Sequence, residues 1–274
     1  MKKTIAFIGA GNMGGAIIRA VCRAIPSEEV FIYDILPEKA DELARETGCT
    51  AAIDGADAIE DASYIMLCVK PQYCAQTLRG LLAALQKNSL RGVRQTLVSI
   101  VTGTKTDTLS ALLAEGGLEL PIIRVMPNTA AAVGEGVMLL AHNEAVSEED
   151  FSRFRQIISA CGLQVPMTEN MLDLATPVSG CTPAFVYMFI DALADGGVQI
   201  GVPRDQARVL AAQAVLGSAA MVLKSDLHPG ALKDMVCSPA GSTIAGVEEL
   251  EAHGFRYAVS QAIVSSYRRN CELG

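Results

Sequence analysis

The sequence predicts an α/β protein in two parts, a doubly wound, mainly parallel sheet over residues 1–165 and an all-α domain over residues 166–274. Three observations carry this. Up to about residue 165, short apolar runs alternate with stretches of helical spacing, the pattern of strands joined by crossover helices. From about Thr168 onward strands cease and helix follows helix. The glycine-rich turn Gly9-Ala10-Gly11-Asn12-Met13-Gly14 directly follows the first apolar run and opens a helix.

Apolar, β-branched runs place strands at residues 4–8, 30–33, 64–69, 96–101 and 122–125, with a further strand at 136–141. Helical spacing and helix-forming residues place helices at 13–24, 37–47, 71–85, 106–113 and 147–161, and the polar stretch 86–94 reads as a surface loop. In the second part helices are expected at 168–177, 183–200, 203–223, 229–236, 242–251 and 255–271. Pro183, Pro203 and Pro229 each suit a first helical turn, where the missing N–H costs nothing. Residues 185–190 are apolar nearly all round and 207–223 almost so, whereas a surface helix shows one stripe. About a hundred residues cannot cover such helices, which predicts a homodimer that shares them.

Half of the 274 residues are hydrophobic, enough for a sizeable core. A net charge of −8 without a basic run argues against a nucleic-acid partner, and nothing in the charge points to a membrane. No apolar run is expected to reach membrane-spanning length. The start Met1-Lys2-Lys3-Thr4-Ile5 looks like a signal n-region, but the apolar stretch breaks at Gly9-Ala10-Gly11-Asn12 without a cleavage context. The eight cysteines are scattered without metal spacing and read as reduced thiols of a cytoplasmic protein; no metal is expected.

The turn Gly9 to Gly14 is the GxGxxG dinucleotide fingerprint in its confirming context, after a strand and before a helix, so a Rossmann-like half is predicted. Its glycines serve a tight turn, close backbone approach to pyrophosphate and helix-strand packing. Asp34, closing the second strand, would accept from the ribose 2′-OH of NADH and repel a 2′-phosphate; the competing role is a cap for the helix starting at Pro37. Val69-Lys70-Pro71-Gln72, Ser99-Ile100-Val101-Thr102-Gly103 and Met126-Pro127-Asn128-Thr129 all fall at strand ends, where cofactor and substrate contacts are expected.

Carbonyl reduction commonly uses a lysine or histidine proton donor, and no lysine occurs between residues 107 and 223. Hydroxyacid dehydrogenases of similar start and helical second half keep a catalytic lysine on the long helix after the sheet, where this chain offers only Asp191 and Asp195 as charged groups. His142, His228 and His253 read as turn and strand-end residues. An imine is mildly basic at nitrogen and needs only a hydroxyl or water to protonate it, which suits a site of serine and threonine. In Ser238-Pro239-Ala240-Gly241-Ser242-Thr243, Pro239 ends one helix, Gly241 turns the chain, and Ser242 or Thr243 can cap the next helix. Such a loop serves either as a capped connection or as an anion site built from free N–H groups.

Over essentially its whole length the chain resembles the pyrroline-5-carboxylate reductase family. The resemblance rests on Ile8 to Gly14, Val69-Lys70-Pro71-Gln72, Arg124-Val125-Met126-Pro127-Asn128-Thr129, Val133-Gly134-Glu135-Gly136, His228-Pro229-Gly230-Ala231-Leu232-Lys233-Asp234, and Ser238 through Gly246. It implies reduction of 1-pyrroline-5-carboxylate, an imino acid, to proline by NADPH or NADH. It also implies a homodimer of interleaved C-terminal helices, with larger rings of dimers in some members. By resemblance Ser238, Ala240, Gly241, Ser242 and Thr243 bind the substrate, with Thr243 catalytic as the partner of the imine nitrogen. Thr102 and Glu169 are further substrate candidates. Gly9, Ala10, Gly11, Asn12, Met13, Gly14, Asp34, Val69, Lys70, Pro71 and Asn128 are the cofactor residues. The chain departs from the family at Ala240, usually glycine, at Ala130, usually proline, and at Cys181 and Thr182, usually small residues. Many members prefer NADPH, against which Asp34 argues. The alternatives are reduction of a related cyclic imine, a hydroxyacid dehydrogenase of the same architecture, and a non-catalytic NAD(P)-binding sensor.

Overall fold

The structure, a computed structural model, describes residues 2–273. Its chain divides into two compact units, Met1–Gly180 with Tyr267–Gly274, and Cys181–Ser266.

The first unit is built on an eight-stranded sheet of order β3-β2-β1-β4-β5-β6-β7-β8, composed of β1 (Ile5–Ile8), β2 (Val30–Tyr33), β3 (Thr50–Ala51), β4 (Tyr64–Leu67), β5 (Thr96–Ser99), β6 (Ile122–Pro127), β7 (Gly136–His142) and β8 (Gly162–Pro166). All neighbours are parallel except β6 and β7. Its helices are α1 (Asn12–Ala24), α2 (Pro37–Thr47), α3 (Gly55–Ile59), α4 (Pro71–Leu90), α5 (Thr106–Ala114), α6 (Glu148–Ile157) and α7 (Glu169–Thr176). The strands alternate sides, so each feeds two cores. On one face Ile5, Phe7, Tyr64, Met66 and Val98 pack with Ile17, Ile18 and Val21 of α1 and with Phe151, Phe154 and Ile157 of α6. On the other Ala6, Ile8, Ile65, Leu67 and Leu97 pack with Leu78, Leu81 and Leu85 of α4 and with Leu109 and Leu113 of α5.

The predicted doubly wound sheet is therefore present, with five local differences. Residues 86–90 are helix, because Asn88 is buried and its Nδ2 donates to Ile59 O and Gln95 Oε1, both at 3.1 Å, while Gln95 Nε2 donates to Ile59 O and Ala62 O. This satisfied network anchors the last turn of α4 through Asn88, while its neighbours Gln86, Lys87, Ser89 and Leu90 stay on the surface as expected. The helix expected to reach residue 161 stops at Ile157 and tightens into a short 3-10 turn, Ser159–Cys161. Strands β3 and β8 and the short α3 were not foreseen: β3 is two residues, β8 ends in proline at the sheet edge, and α3 is one turn capped by Asp54.

The second unit is helical: α8 (Thr182–Gln199), α9 (Arg204–Lys224), α10 (Pro229–Val236), α11 (Ser242–Ala252) and most of α12 (Phe255–Leu273). A π-helical turn, Pro177–Cys181, precedes α8. Pro183 and Pro229 sit in first turns as expected, while Pro203 is the residue before the first turn of α9. The only buried apolar cluster of this unit among the described residues is Ala194, Ala207 and Ala211. Met188, Leu210 and Leu223 are 73%, 62% and 80% exposed in the single chain.

Candidate active site

Strand order reverses between β1 and β4, and the crevice beyond their C-terminal ends is where a doubly wound sheet takes its ligand. There Gly11, Asn12, Met13, Gly14, Lys39, Cys68, Val69, Lys70, Pro71, Ile100, Thr102, Met126 and Pro127 line a groove of about 510 Å³. The fingerprint glycines divide their roles. Gly9 has φ +109°, and a Cβ there would lie 2.5 Å from Cys68 O; a Cβ on Gly14 would lie 2.5 Å from Gly9 O. Gly11 has nothing within 4 Å of such an atom, so its bareness serves an approaching ligand rather than internal packing. Gly11 also precedes α1, which has no side-chain cap and no acid in its first turn. Free N–H groups and an open backbone together fit a pyrophosphate.

Asp34 does not cap α2, which begins after Leu36 without a side-chain cap. Its Oδ2 accepts from Ala10 N–H at 2.6 Å and its Oδ1 from Leu36 N–H at 3.0 Å. The carboxylate thus ties the β2 end to the glycine-rich loop and keeps lone pairs to spare. Lys70 precedes α4 and Pro71 starts it, so Val69, Lys70 and Pro71 stand at the groove wall on a strand-to-helix turn. The Asn128 side chain is committed internally: Nδ2 donates to Ser179 O at 3.0 Å and Oδ1 accepts from Val137 N–H at 3.2 Å. It braces the end of β6 instead of presenting a free amide.

Thr102 and Met126 belong both to the groove and to a second cavity of about 510 Å³, further lined by Gly103, Lys105, Thr108, Asn170, Asp173, Leu174, Thr176, Tyr267, Asn270 and Cys271. Thr102 therefore stands where the two spaces meet. Lys105 and Asp173 in this lining and Cys68 in the groove are not among the residues the sequence marks as site candidates, whereas Lys39, the base nearest Asp34 in sequence, does line the groove. Lys105 lies two residues beyond the strand-end stretch Ser99–Gly103, and that position is the available signal.

Arg124 was also missed as a chemical group. Set between Ile123 and Val125 in β6, it is 2% exposed, with Nη1 2.8 Å from Glu169 Oε1 and Nη2 3.1 Å from Asp173 Oδ1. Glu169, in turn, accepts from Thr106 N–H at 2.8 Å and from the Thr106 hydroxyl at 3.0 Å. Burial opposes ionisation of Glu169, but the Thr106 N–H, the Arg124 guanidinium and the Thr106 hydroxyl outweigh it and hold the carboxyl below its usual range. Both Glu169 oxygens have partners within the protein. An arginine inside an apolar strand, with two acids four residues apart on a later helix, was the sequence signal for this cluster.

In the helical unit, α10 is capped by His228, whose Nδ1 accepts from Gly230 N–H at 3.0 Å. The following loop exchanges the expected roles of its two small residues. Ala240 takes the left-handed conformation, φ +58°, which alanine adopts at a cost of roughly 1–2 kcal/mol. Gly241 has φ −79°, and a Cβ there would collide with the Ser238 hydroxyl. Neither Ser242 nor Thr243 caps α11: Gly241 precedes the helix and no side-chain cap forms. Ser238, Ser242 and Thr243 are exposed in this unit, beside a helix start with free N–H groups.

Residues 169–273 match the family described as pyrroline-5-carboxylate reductase dimerisation. Residues 4–103 match that described as NADP oxidoreductase, coenzyme F420-dependent. The pyrroline-5-carboxylate reductase of Escherichia coli K12 is 40% identical over 276 residues, covering 100% of this chain and 99% of its own. The chain belongs to the pyrroline-5-carboxylate reductase family. The Methanosarcina acetivorans reductase is 38% identical over 275 residues, with 100% of this chain and 98% of its own covered. The crystal structure of the Plasmodium falciparum pyrroline carboxylate reductase with NADP bound superposes with a TM-score of 0.85 at 31% identity, covering 98% of this chain and 97% of that one. The chain is thus an NAD(P)H-dependent oxidoreductase with a C-terminal dimerisation domain.

Dimerisation also accounts for a correction. By length and composition alone the helical runs Glu169–Gln199 and Arg204–Lys224 could cross a membrane, although no run was expected to. Only 11% of either apolar stretch is buried in one chain, and a second copy is what a dimerisation domain supplies to cover it.

Proposed function

We infer that this protein reduces 1-pyrroline-5-carboxylate to L-proline, the final step of proline biosynthesis. The observation that carries the reading is full-length similarity to reductases of that name, joined to a groove at the β1/β4 reversal whose glycine loop and uncapped helix fit a dinucleotide. Bound there, NADH or NADPH supplies hydride to the imine carbon. The nitrogen gains a proton and becomes the secondary amine of proline.

The chain's own residues set the rest. Gly9 to Gly14 hold the pyrophosphate, Val69, Lys70 and Pro71 form the groove wall, and Asn128 keeps the β6 end in place. Thr102 faces substrate and cofactor together. Ser238, Ala240, Gly241 and Ser242 receive the substrate carboxylate on backbone N–H and hydroxyl groups, and Thr243 hydrogen-bonds the imine nitrogen. The left-handed Ala240 supports this assignment, since strain of that kind gathers at ligand-binding turns.

Asp34 makes NADH the preferred cofactor, because a fixed carboxylate repels a 2′-phosphate and accepts from a 2′-hydroxyl. Lys39 in the same groove offers a cation, so the preference is a ratio of rates and not an exclusion. The functional form is a cytoplasmic homodimer of interleaved helices, able to assemble into rings of dimers. The test is the initial rate of nicotinamide oxidation with racemic 1-pyrroline-5-carboxylate, run with NADH and with NADPH. Proline formation, faster with NADH, is expected. Cofactor binding without oxidation would instead identify a sensor or a reductase of another imine.

A further inference from the structure

The Arg124 cluster lies in the sheet unit, and no step assigned above uses it. An arginine buried to 2% exposure among apolar neighbours is costly even when paired, and a methionine of similar volume would pack there more cheaply. What the charges hold therefore matters.

They hold the segment between β5 and α5. Its near end is fixed by the sheet, with Ile100 N–H donating to Leu67 O at 3.2 Å and Val101 N–H to Ser99 Oγ at 3.2 Å. Within the segment the backbone offers a long contact from Thr104 N–H to Val101 O, 3.4 Å, and Gly103 is left-handed at φ +74°. The far end enters α5 at Thr106 after Lys105, which provides no cap. The missing cap is supplied from α7, by Glu169 accepting both the N–H and the hydroxyl of Thr106. Arg124 then fixes Glu169 from β6, and Asp173, one turn further along α7, occupies the other guanidinium arm. One ion cluster thereby joins β6, α7 and the far end of the segment that carries Thr102, the residue common to the cofactor groove and the adjoining cavity.

We propose that Glu169, oriented by Arg124, is a positioning residue that acts through Thr106 to hold the Thr102–Lys105 segment in place for hydride transfer. This rests on the reductase reading for its kinetic consequence and on geometry alone for its structural one. Cofactor binding depends mainly on the glycine-rich loop and the Val69–Pro71 wall, so the cluster bears on turnover more than on cofactor affinity.

The experiment compares the full-length parent with Glu169→Ala, Glu169→Gln, Thr106→Ala and the Thr106→Ala/Glu169→Ala double variant, with Glu115→Gln in the exposed Arg79 pair as the surface control. Four readouts are taken: steady-state kinetics with the imine, NADH affinity by fluorescence, thermal unfolding, and amide hydrogen exchange across residues 100–110. Glu169→Ala is expected to lower kcat about tenfold or more, since a misplacement near 1 Å can cost up to about a hundredfold, with NADH affinity within about twofold. Amides from Thr104 to Leu109 should exchange about tenfold faster, those of α4 at the parent rate. Glu169→Gln, whose amide oxygen still accepts from Thr106, should recover part of both losses. The double variant should lose less than the product of the single effects, because one contact is removed twice. A lower melting temperature with parent kcat and parent exchange in this segment would reduce the cluster to a structural one and overturn the proposal. A parent unable to reduce the imine would refute the reductase reading instead, and the exchange measurement, which needs no substrate, would still decide the positioning role. Should Glu169→Ala fail to fold, Glu169→Gln against Thr106→Ala carries the same comparison.

Discussion

The sheet unit and the helical unit of this chain bury apolar surface in opposite ways. In the first, strands such as Ile5–Ile8 and Tyr64–Leu67 are covered on both faces by helices of the same unit. In the second, the buried apolar cluster is three alanines, while Met188, Leu210 and Leu223 stand open to solvent. A leucine or methionine left open forgoes about 1.5–3 kcal/mol relative to full burial. One unit is complete as a single chain and the other awaits its copy. The proposed cofactor groove follows the first pattern, since all its lining belongs to the sheet unit. The proposed substrate loop, Ser238 to Thr243, lies in the unit that needs a partner.

The comparison breaks most sharply at the glycine loop. Gly9→Ala introduces a Cβ 2.5 Å from Cys68 O at a φ of +109°, and a loss of at least about 3 kcal/mol in stability, with NADH affinity down more than about a hundredfold, is expected from overpacking together with strain. Thermal unfolding and nucleotide fluorescence would read both, and parent-like values would mean that this turn differs in solution. Next in size is Leu210→Asp, which places a charge on the uncovered helical face. It should shift the dimer to monomer at micromolar concentration in sedimentation and abolish turnover, while NADH affinity stays within about threefold because the groove is untouched. An intact dimer would mean that this face is not the interface.

Thr243→Ala should reduce kcat by about one to two orders of magnitude with little change in NADH binding, as expected for loss of a hydroxyl that assists protonation. Unchanged steady-state kinetics would remove Thr243 from the mechanism. Asp34→Ser is smaller. It should narrow the NADH over NADPH ratio by about tenfold and cost both cofactors roughly 1 kcal/mol, because the Ala10 N–H contact is weakened. An unaltered ratio would leave Asp34 as a brace of the loop alone. The smallest change is Ala240→Gly, where relief of the left-handed backbone is set against a more flexible unfolded chain, for a net gain of about 1 kcal/mol or less in unfolding experiments. A clear loss of stability would contradict the left-handed conformation at Ala240.

Much of this could be read in the residues themselves, for identifiable reasons. Strand alternation and helix spacing depend on local geometry, so Val30–Tyr33, Pro37–Thr47 and Pro229–Val236 are found where pattern and proline placed them. The fingerprint is legible because Gly9, Gly11 and Gly14 answer constraints lying within one strand, one turn and one helix. Residues 86–90 were misread because the polarity of Asn88 and Gln95 is satisfied by the distant carbonyls of Ile59 and Ala62. Arg124 was overlooked for the same reason, since its partners lie 45 and 49 residues away.

By itself, then, the sequence determined the doubly wound sheet, the glycine loop for the dinucleotide and the surplus of apolar helix that calls for a second copy, each set by periodicity or by a short motif. Only the tertiary structure decided that Asp34 braces Ala10, that Asn128 is spent inside the protein, that Ala240 and not Gly241 is left-handed, and that Glu169 caps a helix sixty-odd residues earlier in the chain. A hydrogen bond is specific to a few tenths of an ångström and to a direction, and which donor meets which acceptor is settled only when remote segments pack against each other.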